Sequence, residues 1–371
     1  MKKKSFDFQF FIIVMALLAL GLIMVFSASS ESARVFQNNA YFFIQKQLMW
    51  AVFSVVAMLV LSRIDYHHFG KWAFPILIAS GLLLVLVLAI GTTLNGGKRW
   101  INLGFTSFQP SEAAKVAVVI FFAYSLSKNP NILGNFWTGL VPYLAVLCVF
   151  AGLLMLEPHL SGTIVIMGIG IAVLFIGGAK LTHLLAMAVP AVVAGCALIL
   201  SEPYRMERVT AFIDPFKDKQ GSGWQIMQSL YAIGSGGMFG LGLGRSRQKF
   251  LYLPEPHNDF IFSILCEELG FIGAAITLLL FAALIWRGIR IAMNAPDMFG
   301  SLMAAGFTAL IAIEVIINIA VVTSSMPVTG MPLPFFSYGG TALLAVMCCM
   351  GIMLNISRHA KQKSGMPSGL R

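Results

Sequence analysis

The sequence is short of charge. Asp, Glu, Lys and Arg together make up only 11% of its 371 residues, whereas a soluble globular domain carries roughly 25%. Hydrophobic residues supply 58% of the chain, and the mean hydropathy is +0.85. This balance excludes an ordinary soluble enzyme and predicts a protein embedded in a lipid bilayer.

The sequence also lacks the motifs of several common chemistries. Its five cysteines all fall inside apolar runs, and none has the spacing of a metal site or a disulfide framework. The glycine-rich run 234–244 contains neither GxGxxG nor the Walker A spacing, so no nucleotide site is predicted there. No cofactor is therefore expected, although a requirement for a divalent cation is not readable from the sequence.

The net charge of +10 does not indicate a nucleic-acid partner. The basic residues are spread along the chain rather than gathered in a tail or beside a recognition motif. A membrane protein with basic cytoplasmic loops explains them better. We therefore expect membrane lipids, and no nucleic acid, around this chain.

Long apolar runs are what the sequence has in abundance. A transmembrane helix needs about 20 predominantly apolar residues, and ten runs approach this length. They are residues 8–27, 42–61, 72–90, 111–126, 140–156, 162–179, 181–200, 260–286, 302–322 and 338–356. The predicted fold is an all-α polytopic membrane protein of about ten transmembrane helices, forming a single domain over residues 1–371.

The distribution of basic residues predicts the orientation of these spans. If the N-terminus is cytoplasmic, thirteen of the 25 basic residues lie in inner segments and four in short outer ones. This bias matches the positive-inside rule. Both termini are therefore predicted in the cytoplasm, and the large polar loop 202–258 is predicted outside the cytoplasmic membrane.

That loop is the only long polar passage of the chain. It contains seven basic residues, of which Arg205, Arg208, Arg245 and Lys249 are candidates to hold a phosphate group by charge-assisted hydrogen bonds. Residues 224–230 follow the apolar spacing of an amphipathic helix. The loop ends in a carboxylate-containing segment that includes Glu255 and Asp259.

Several ionisable residues lie within or at the start of apolar runs. Glu112 and Lys115 share a helix face, and Glu314 lies in the ninth run with Asn318 one turn later. Neutralising pairs and inter-helix hydrogen bonds explain these residues, and so does the charged lining of a cavity; both interpretations stay open. Glu267 and Glu268 are costly in an apolar helix unless they are paired or face water.

The last outer loop, residues 323–341, contains three prolines and several glycines but no charge. This composition predicts a rigid re-entrant segment, which is tolerated at membrane depth only when it is buried in protein.

Several of these segments resemble one known family, the SEDS proteins (shape, elongation, division and sporulation), whose members include FtsW, RodA and SpoVE. The resemblance covers nearly the whole chain and is closest to the FtsW/SpoVE branch. It is carried by residues 95–100, 108–115, 225–244, 252–262 and 318–341, and residues 334–340 are its most specific part. His159 is a departure, because members often have Asp after the Glu-Pro pair that precedes it.

The resemblance implies a peptidoglycan glycosyltransferase that polymerises lipid II on the outer face of the cytoplasmic membrane. It also implies a class B penicillin-binding protein as the transpeptidase partner, together with other divisome proteins. The family's essential Asp in the large outer loop matches Asp259. Whether the chain acts in division, sporulation or elongation is not distinguished by the sequence.

This chemistry suits the residues of the loop. We predict that Asp259 is the general base for the acceptor hydroxyl, in a displacement that inverts the donor sugar. A diphosphate leaves without a paired acid, unlike the leaving group of a glycosidase. Substrate contacts are predicted from Arg99, Glu112, Lys115, Arg205, Arg208, Arg245, Lys249, Glu255 and Ser337.

Two other functions remain as alternatives. A lipid II flippase or secondary transporter would concentrate polar groups and broken helices near the bilayer midplane, whereas here they gather in one outer loop. A non-catalytic scaffold of the division machinery gives no reason for so many charges in that loop.

Overall fold

The computed structural model describes residues 6–94, 97–102, 104, 107–200, 203–216, 221–250 and 252–360. Twelve α-helices account for most of the described residues. They are α1 Phe8–Gln37, α2 Phe42–Leu61, α3 His67–Ile90, α4 Pro110–Lys128, α5 Val141–Leu156, α6 Leu160–Ile176, α7 Leu181–Leu200, α8 Pro203–Ile213, α9 Ser222–Ser235, α10 Ile261–Met293, α11 Met298–Val322 and α12 Gly340–His359.

Each of the ten predicted spans coincides with one of these helices. In the part of the chain that the structure describes, seven helices are long and apolar enough to cross a membrane, counting α5 together with the π-helical turn Phe136–Leu140 that precedes it. Helix α6 is equally apolar but shorter. The prediction of an all-α polytopic membrane protein is thus confirmed, and the chain crosses the membrane several times.

Local sequence signals explain where several helices begin. The side chain of Asp7 accepts a hydrogen bond from the Phe10 amide and caps α1, and Asp297 caps α11 through the Gly300 amide. Pro110 occupies the first turn of α4, as its fixed φ angle favours. The N-terminal end of a helix leaves amides without intrahelical partners, and these acidic caps satisfy some of them.

The loop between α3 and α4 adds a small sheet that the sequence did not predict. Strands β1 Thr92–Leu94, β2 Gly97–Asn102 and β3 Ser107–Phe108 pair antiparallel in that order. Arg99 lies on the central strand. Asn95 and Gly96, which open the predicted motif here, lie outside the described residues.

Helix α10 is broken in its N-terminal third. Gly270 has a φ angle of +66°, which a residue with a β-carbon rarely adopts. The glycine-rich segment 236–244 crosses the helix at this break, where the Leu241 amide donates to the Glu267 carbonyl and the Phe271 amide to the Gly237 carbonyl. The glycines therefore serve a close approach between two backbones.

The segment predicted to be re-entrant is buried in protein, as that prediction requires. Residues 323–339 form no helix, and Leu333, Phe335 and Phe336 have almost no exposed surface. A β-carbon on Gly21, in the middle of α1, would come within 2.1 Å of the Phe335 carbonyl oxygen. The loop thus enters the helix bundle between α11 and α12.

Two further helices lie in the described part of the large polar loop 202–258. Helix α9 contains the predicted amphipathic segment 224–230, and α8 carries Arg205 and Arg208. Residues 217–220, which include two of the predicted basic residues of the loop, lie outside the described part of the chain.

Candidate active site

Asp259 lies at the N-terminal end of α10, two residues before the helix begins. Residues 252–259 form a series of turns rather than a helix, as expected from the two prolines that flank Glu255. Glu255 itself has a left-handed φ angle of +49°. The segment is therefore short and tightly turned, and its position depends on contacts with other elements.

Three consecutive carbonyl groups hold this segment in place. The Tyr338 amide donates to the His257 carbonyl at 2.9 Å. The Ser337 hydroxyl donates to the Asn258 carbonyl at 2.7 Å, and the Asn318 side-chain amide donates to the Asp259 carbonyl at 2.9 Å. The donors come from the re-entrant loop and from α11, so these two elements determine where the Asp259 side chain begins.

The re-entrant loop also runs beside the Asp259 carboxylate. A β-carbon on Gly330, whose φ angle is +73°, would lie 3.3 Å from Oδ2 of Asp259. The loop is anchored on both sides of this glycine. Arg208 donates to the Val328 carbonyl at 2.8 Å, and Asn318 donates to the Met331 carbonyl at 2.7 Å.

The surroundings of Asp259 suit a general base. Burial raises the pKa of this carboxyl from its ordinary 3.8 to about 6, and Glu255 adds to the rise, while Arg208 and Arg99 oppose it. Part of the side chain nevertheless remains accessible. A carboxylate with a pKa near the working pH is a stronger proton acceptor than a solvated one.

The structure brings two of the predicted basic residues close to Asp259. Arg99 reaches from β2 to the turn between α5 and α6, where it donates to the backbone carbonyls of Glu157, at 3.4 Å, and Pro158. Arg208 reaches the re-entrant loop from α8. Both guanidinium groups lower the pKa of Asp259, so positive charge from β2 and from α8 acts on this carboxylate. Arg205 lies on the same helix as Arg208.

Glu157 and His159 were missed as parts of this region. Both are buried. Among the described residues, no hydrogen-bond partner exists for either carboxylate oxygen of Glu157 or for Nδ1 of His159. Burial raises the pKa of Glu157 to about 8 and lowers the pKa of His159 to about 3. The only sequence signal was the unusual His after the Glu-Pro pair.

Glu255 remains exposed on the turn that precedes Asp259. Its carboxylate accepts a hydrogen bond from the Asn258 side chain at 2.8 Å and lies 3.7 Å from Nε2 of His257. The His257 ring is buried against Phe43 and Tyr338, and burial lowers its pKa to about 4. Glu255 is thus placed where it can meet a ligand, next to Asp259 in space as well as in sequence.

The structure separates Lys249 from this group. Its buried ammonium lies 3.3 Å from Glu268 and donates to the Gly244 carbonyl at 2.7 Å. This pairing favours a structural role for Lys249 over the predicted contact with a diphosphate, because a substrate would have to displace a buried ion pair. Arg245 is exposed on the neighbouring turn.

Glu267 and Glu268 form a fully buried clamp around the turn that contains Lys249. Glu267 accepts from the Ser246 hydroxyl and from the amides of Arg247, at 2.9 Å, and Gln248, at 3.3 Å. Glu268 accepts from the Ser27 hydroxyl at 2.6 Å and from the Ser246 amide at 3.2 Å. The cost of two carboxylates in an apolar helix is offset by these bonds.

Glu112, Lys115 and Glu314 meet inside the helix bundle. Lys115 Nζ lies 2.7 Å from Glu112 and also contacts Glu314 of α11. All three side chains are buried. The predicted shared face of Glu112 and Lys115 is confirmed, and Glu314 completes a triad in which both carboxylates pair with Lys115. The triad lies within the bundle, on other helices than Asp259.

Ser337 is buried in the re-entrant loop, and its hydroxyl both accepts and donates a hydrogen bond within the protein. Its hydroxyl accepts from the Leu333 amide and donates to the Asn258 carbonyl, each at 2.7 Å. The geometry makes Ser337 a support for the Asp259 segment. Among the residues that the structure describes, no group of three or more His, Cys, Asp or Glu side chains is arranged to hold a metal ion.

Comparisons with known proteins identify the family of this chain. Residues 8–362 match the FtsW/RodA/SpoVE family model, described as cell cycle protein. The chain is 45% identical over 362 residues to stage V sporulation protein E of Bacillus subtilis, covering 97% of this chain and 99% of that protein. It is 43% identical over 360 residues to a probable peptidoglycan glycosyltransferase FtsW of Trichlorobacter lovleyi, covering 96% and 94%.

A solved structure is also similar. It is a chain of a peptidoglycan synthase complex, studied for the structural coordination of polymerization and crosslinking. The TM-score is 0.81 with 29% sequence identity, and the match covers 95% of this chain and 98% of that one.

Proposed function

This chain belongs to the FtsW/RodA/SpoVE family and is a peptidoglycan glycosyltransferase, and we propose that Asp259 is the general base with which it polymerises lipid II. The observation that carries the proposal is the setting of Asp259. Its backbone is held by α11 and the re-entrant loop, and its carboxyl has a pKa raised to about 6 beside Arg99 and Arg208.

The reaction proposed is a direct displacement. Asp259 takes the proton of the acceptor's GlcNAc 4-hydroxyl while that oxygen attacks C1 of the donor MurNAc. The bond between C1 and the phosphate oxygen breaks, and undecaprenyl diphosphate leaves with the electron pair. A β-1,4 bond forms from an α-linked donor, so the configuration at C1 is inverted.

The basic residues have a separate task in this reaction. The leaving diphosphate gains negative charge as the bond breaks, and fixed positive groups stabilise that charge in the transition state. Arg99 and Arg208 are the cations that act electrostatically on Asp259, and Arg205 and Arg245 extend the basic surface. Since a diphosphate needs no proton to leave, we propose one carboxylate and no bound cofactor.

The proposal also covers the position of the chain in the membrane. We propose that both termini are cytoplasmic and that the segment carrying Asp259 lies on the outer face, because the basic residues outside the large loop favour the inner segments. A class B penicillin-binding protein is the proposed partner. The similar chain from a complex that coordinates polymerization and crosslinking supports this pairing.

The test is polymerisation of fluorescent lipid II by the purified chain with its transpeptidase partner. We expect Asp259→Asn to lower the rate by about 10²–10⁴-fold, the usual contribution of a general base. Glu207→Gln is the matched control, because Glu207 is an exposed carboxylate on α8. A normal rate for Asp259→Asn would show that the base has been assigned wrongly.

A lipid II flippase is the second candidate, and the buried triad is the observation that favours it. Ionisable residues within spans commonly mark transport pathways, and Glu112, Lys115 and Glu314 lie inside the bundle. Translocation of lipid II in proteoliposomes separates the two functions. A flippase predicts that Lys115→Met abolishes translocation while Asp259→Asn leaves it intact.

A further inference from the structure

We propose that Asn318 is a positioning residue for the reaction, which holds the backbone of Asp259 from within the membrane-spanning helix α11. The inference rests on the proposed function, because it concerns the geometry of the proposed base. It assigns a task to a residue whose sequence context left structural and functional interpretations equally open.

Asn318 connects two segments that approach from different directions. It lies one turn before the outer end of α11 and has almost no exposed surface. Its Nδ2 group donates to the Asp259 carbonyl at 2.9 Å and to the Met331 carbonyl at 2.7 Å. A single amide group therefore fixes the distance between the end of the outer loop and the re-entrant loop.

This distance controls the space beside the carboxylate. Met331 follows Gly330, and a β-carbon on Gly330 would lie only 3.3 Å from Oδ2 of Asp259. Gly330 leaves this space open, and Asn318 sets its width. An acceptor hydroxyl must come within hydrogen-bond reach of the base, and a displacement of about 1 Å can lower a rate about 10²-fold.

Holding the backbone rather than the carboxylate has a chemical consequence. A hydrogen bond donated to the carboxylate would stabilise its charged form and weaken it as a base. Asn318, Ser337 and Tyr338 all donate to carbonyl groups of residues 257–259 instead. The side chain thus acquires a defined direction while its oxygens keep their affinity for a proton.

The experiment compares Asn318→Ala with Thr308→Val in the full-length chain with its transpeptidase partner. Thr308 is also a buried polar residue of α11, but its hydroxyl donates only to the Ala304 carbonyl of its own helix. We expect Asn318→Ala to lower kcat about 10–100-fold and to change the KM for lipid II by no more than about twofold. Thr308→Val should retain the parent kinetics.

The pH–rate profile separates positioning from a loss of folded protein. Without Asn318 the segment loosens and water reaches Asp259, so the acidic limb of the profile should move to lower pH. A rate reduced by the same factor at every pH, in proportion to the folded fraction, would overturn the proposal. A rate equal to that of Thr308→Val would overturn it as well.

A second variant protects the test against misfolding. Ser337→Ala removes the hydroxyl that holds the Asn258 carbonyl but leaves α11 unchanged. If Asn318→Ala does not fold, Ser337→Ala takes its place in the test. It should show the same lower kcat and the same shift of the acidic limb of the pH–rate profile. A Ser337→Ala variant with the parent kcat and the parent pH–rate profile would contradict the proposal. Activity in Asp259→Asn would refute the base itself; an inactive Asp259→Asn with a normal Asn318→Ala refutes only the positioning role.

Discussion

Asp259 and the pair Glu267–Glu268 are carboxylates less than ten residues apart, and the fold treats them in opposite ways. At the pair, the hydrogen bonds are donated to the carboxylates by hydroxyl, amide and ammonium groups. At Asp259, the bonds from Asn318 and from the re-entrant loop go to the backbone carbonyls of residues 257–259. The carboxylates of the pair are saturated with hydrogen bonds, whereas Asp259 is held in position through its backbone.

The difference shows how one helix end can hold carboxylates in two different ways. A buried carboxylate that accepts several hydrogen bonds has its charged form stabilised and holds other segments together. One that is partly desolvated but held through its backbone keeps a high affinity for protons. Glu267 and Glu268 thus fasten the glycine-rich segment to α10 and, through Ser27, to α1. The carboxylate of Asp259 is the one that we propose as the general base.

Breaking the clamp should have the largest effect on stability. Glu268→Gln leaves the Lys249 ammonium buried without its carboxylate, and losing one partner of a buried pair typically costs about 3–5 kcal/mol. The melting temperature of the detergent-solubilised chain should therefore fall clearly. Adding Lys249→Met should recover part of the loss. A melting temperature equal to that of the parent would mean that the pair does not fasten the segment.

Neutralising Asp259 should change the stability of the fold in the opposite direction. Because burial raises its pKa from 3.8 to about 6, the folded state binds the proton more tightly, and the charged form lowers the stability above that pH. At about 1.4 kcal/mol for each unit of pKa, Asp259→Asn should stabilise the fold at pH 7.5 by about 1–3 kcal/mol. Thermal unfolding at pH 7.5 and at pH 4 measures this gain, which should vanish at the lower pH.

A fall in melting temperature for Asp259→Asn at pH 7.5 would contradict the comparison. It would mean that the Asp259 carboxylate, like the pair, stabilises the fold in its charged form.

The pH dependence of polymerisation should sharpen the contrast further. Protonated Asp259 cannot accept a proton, so the rate should fall about tenfold per unit below a pH of about 6. The same protonation stabilises the folded state, so this loss should be reversible. Glu207→Gln should show the parent profile. A rate that stays level between pH 5 and pH 8 would exclude a base with this pKa.

Much of the architecture could be predicted from local patterns. Apolar runs of about 20 residues located all ten long helices, and Pro110 marked the start of α4. The proline- and glycine-rich composition of residues 323–341 predicted a loop that needs protein around it. These features depend on neighbours in the chain, and a periodicity or a backbone preference is visible in a single sequence.

The partners of individual side chains were less accessible. Lys249 belonged to a basic group in the sequence, yet its charge is paired with Glu268. Nothing in the sequence indicated that Glu157 belongs to the site, apart from the unusual His159 two residues later. Asn318 was recognised as polar within a span, but its partners lie in two other segments. The choice between a substrate contact and a structural bond was not present in the sequence pattern.

By itself, the sequence determined that this is a multi-pass membrane protein with one large polar loop, and its resemblance to a family pointed to Asp259. Only the tertiary structure decided which carboxylates are saturated and which one is held by its backbone. The reason is distance along the chain: Asn318 meets Asp259 across 59 residues, and Ser27 meets Glu268 across 241. Such pairings arise from the packing of helices, which no local pattern encodes.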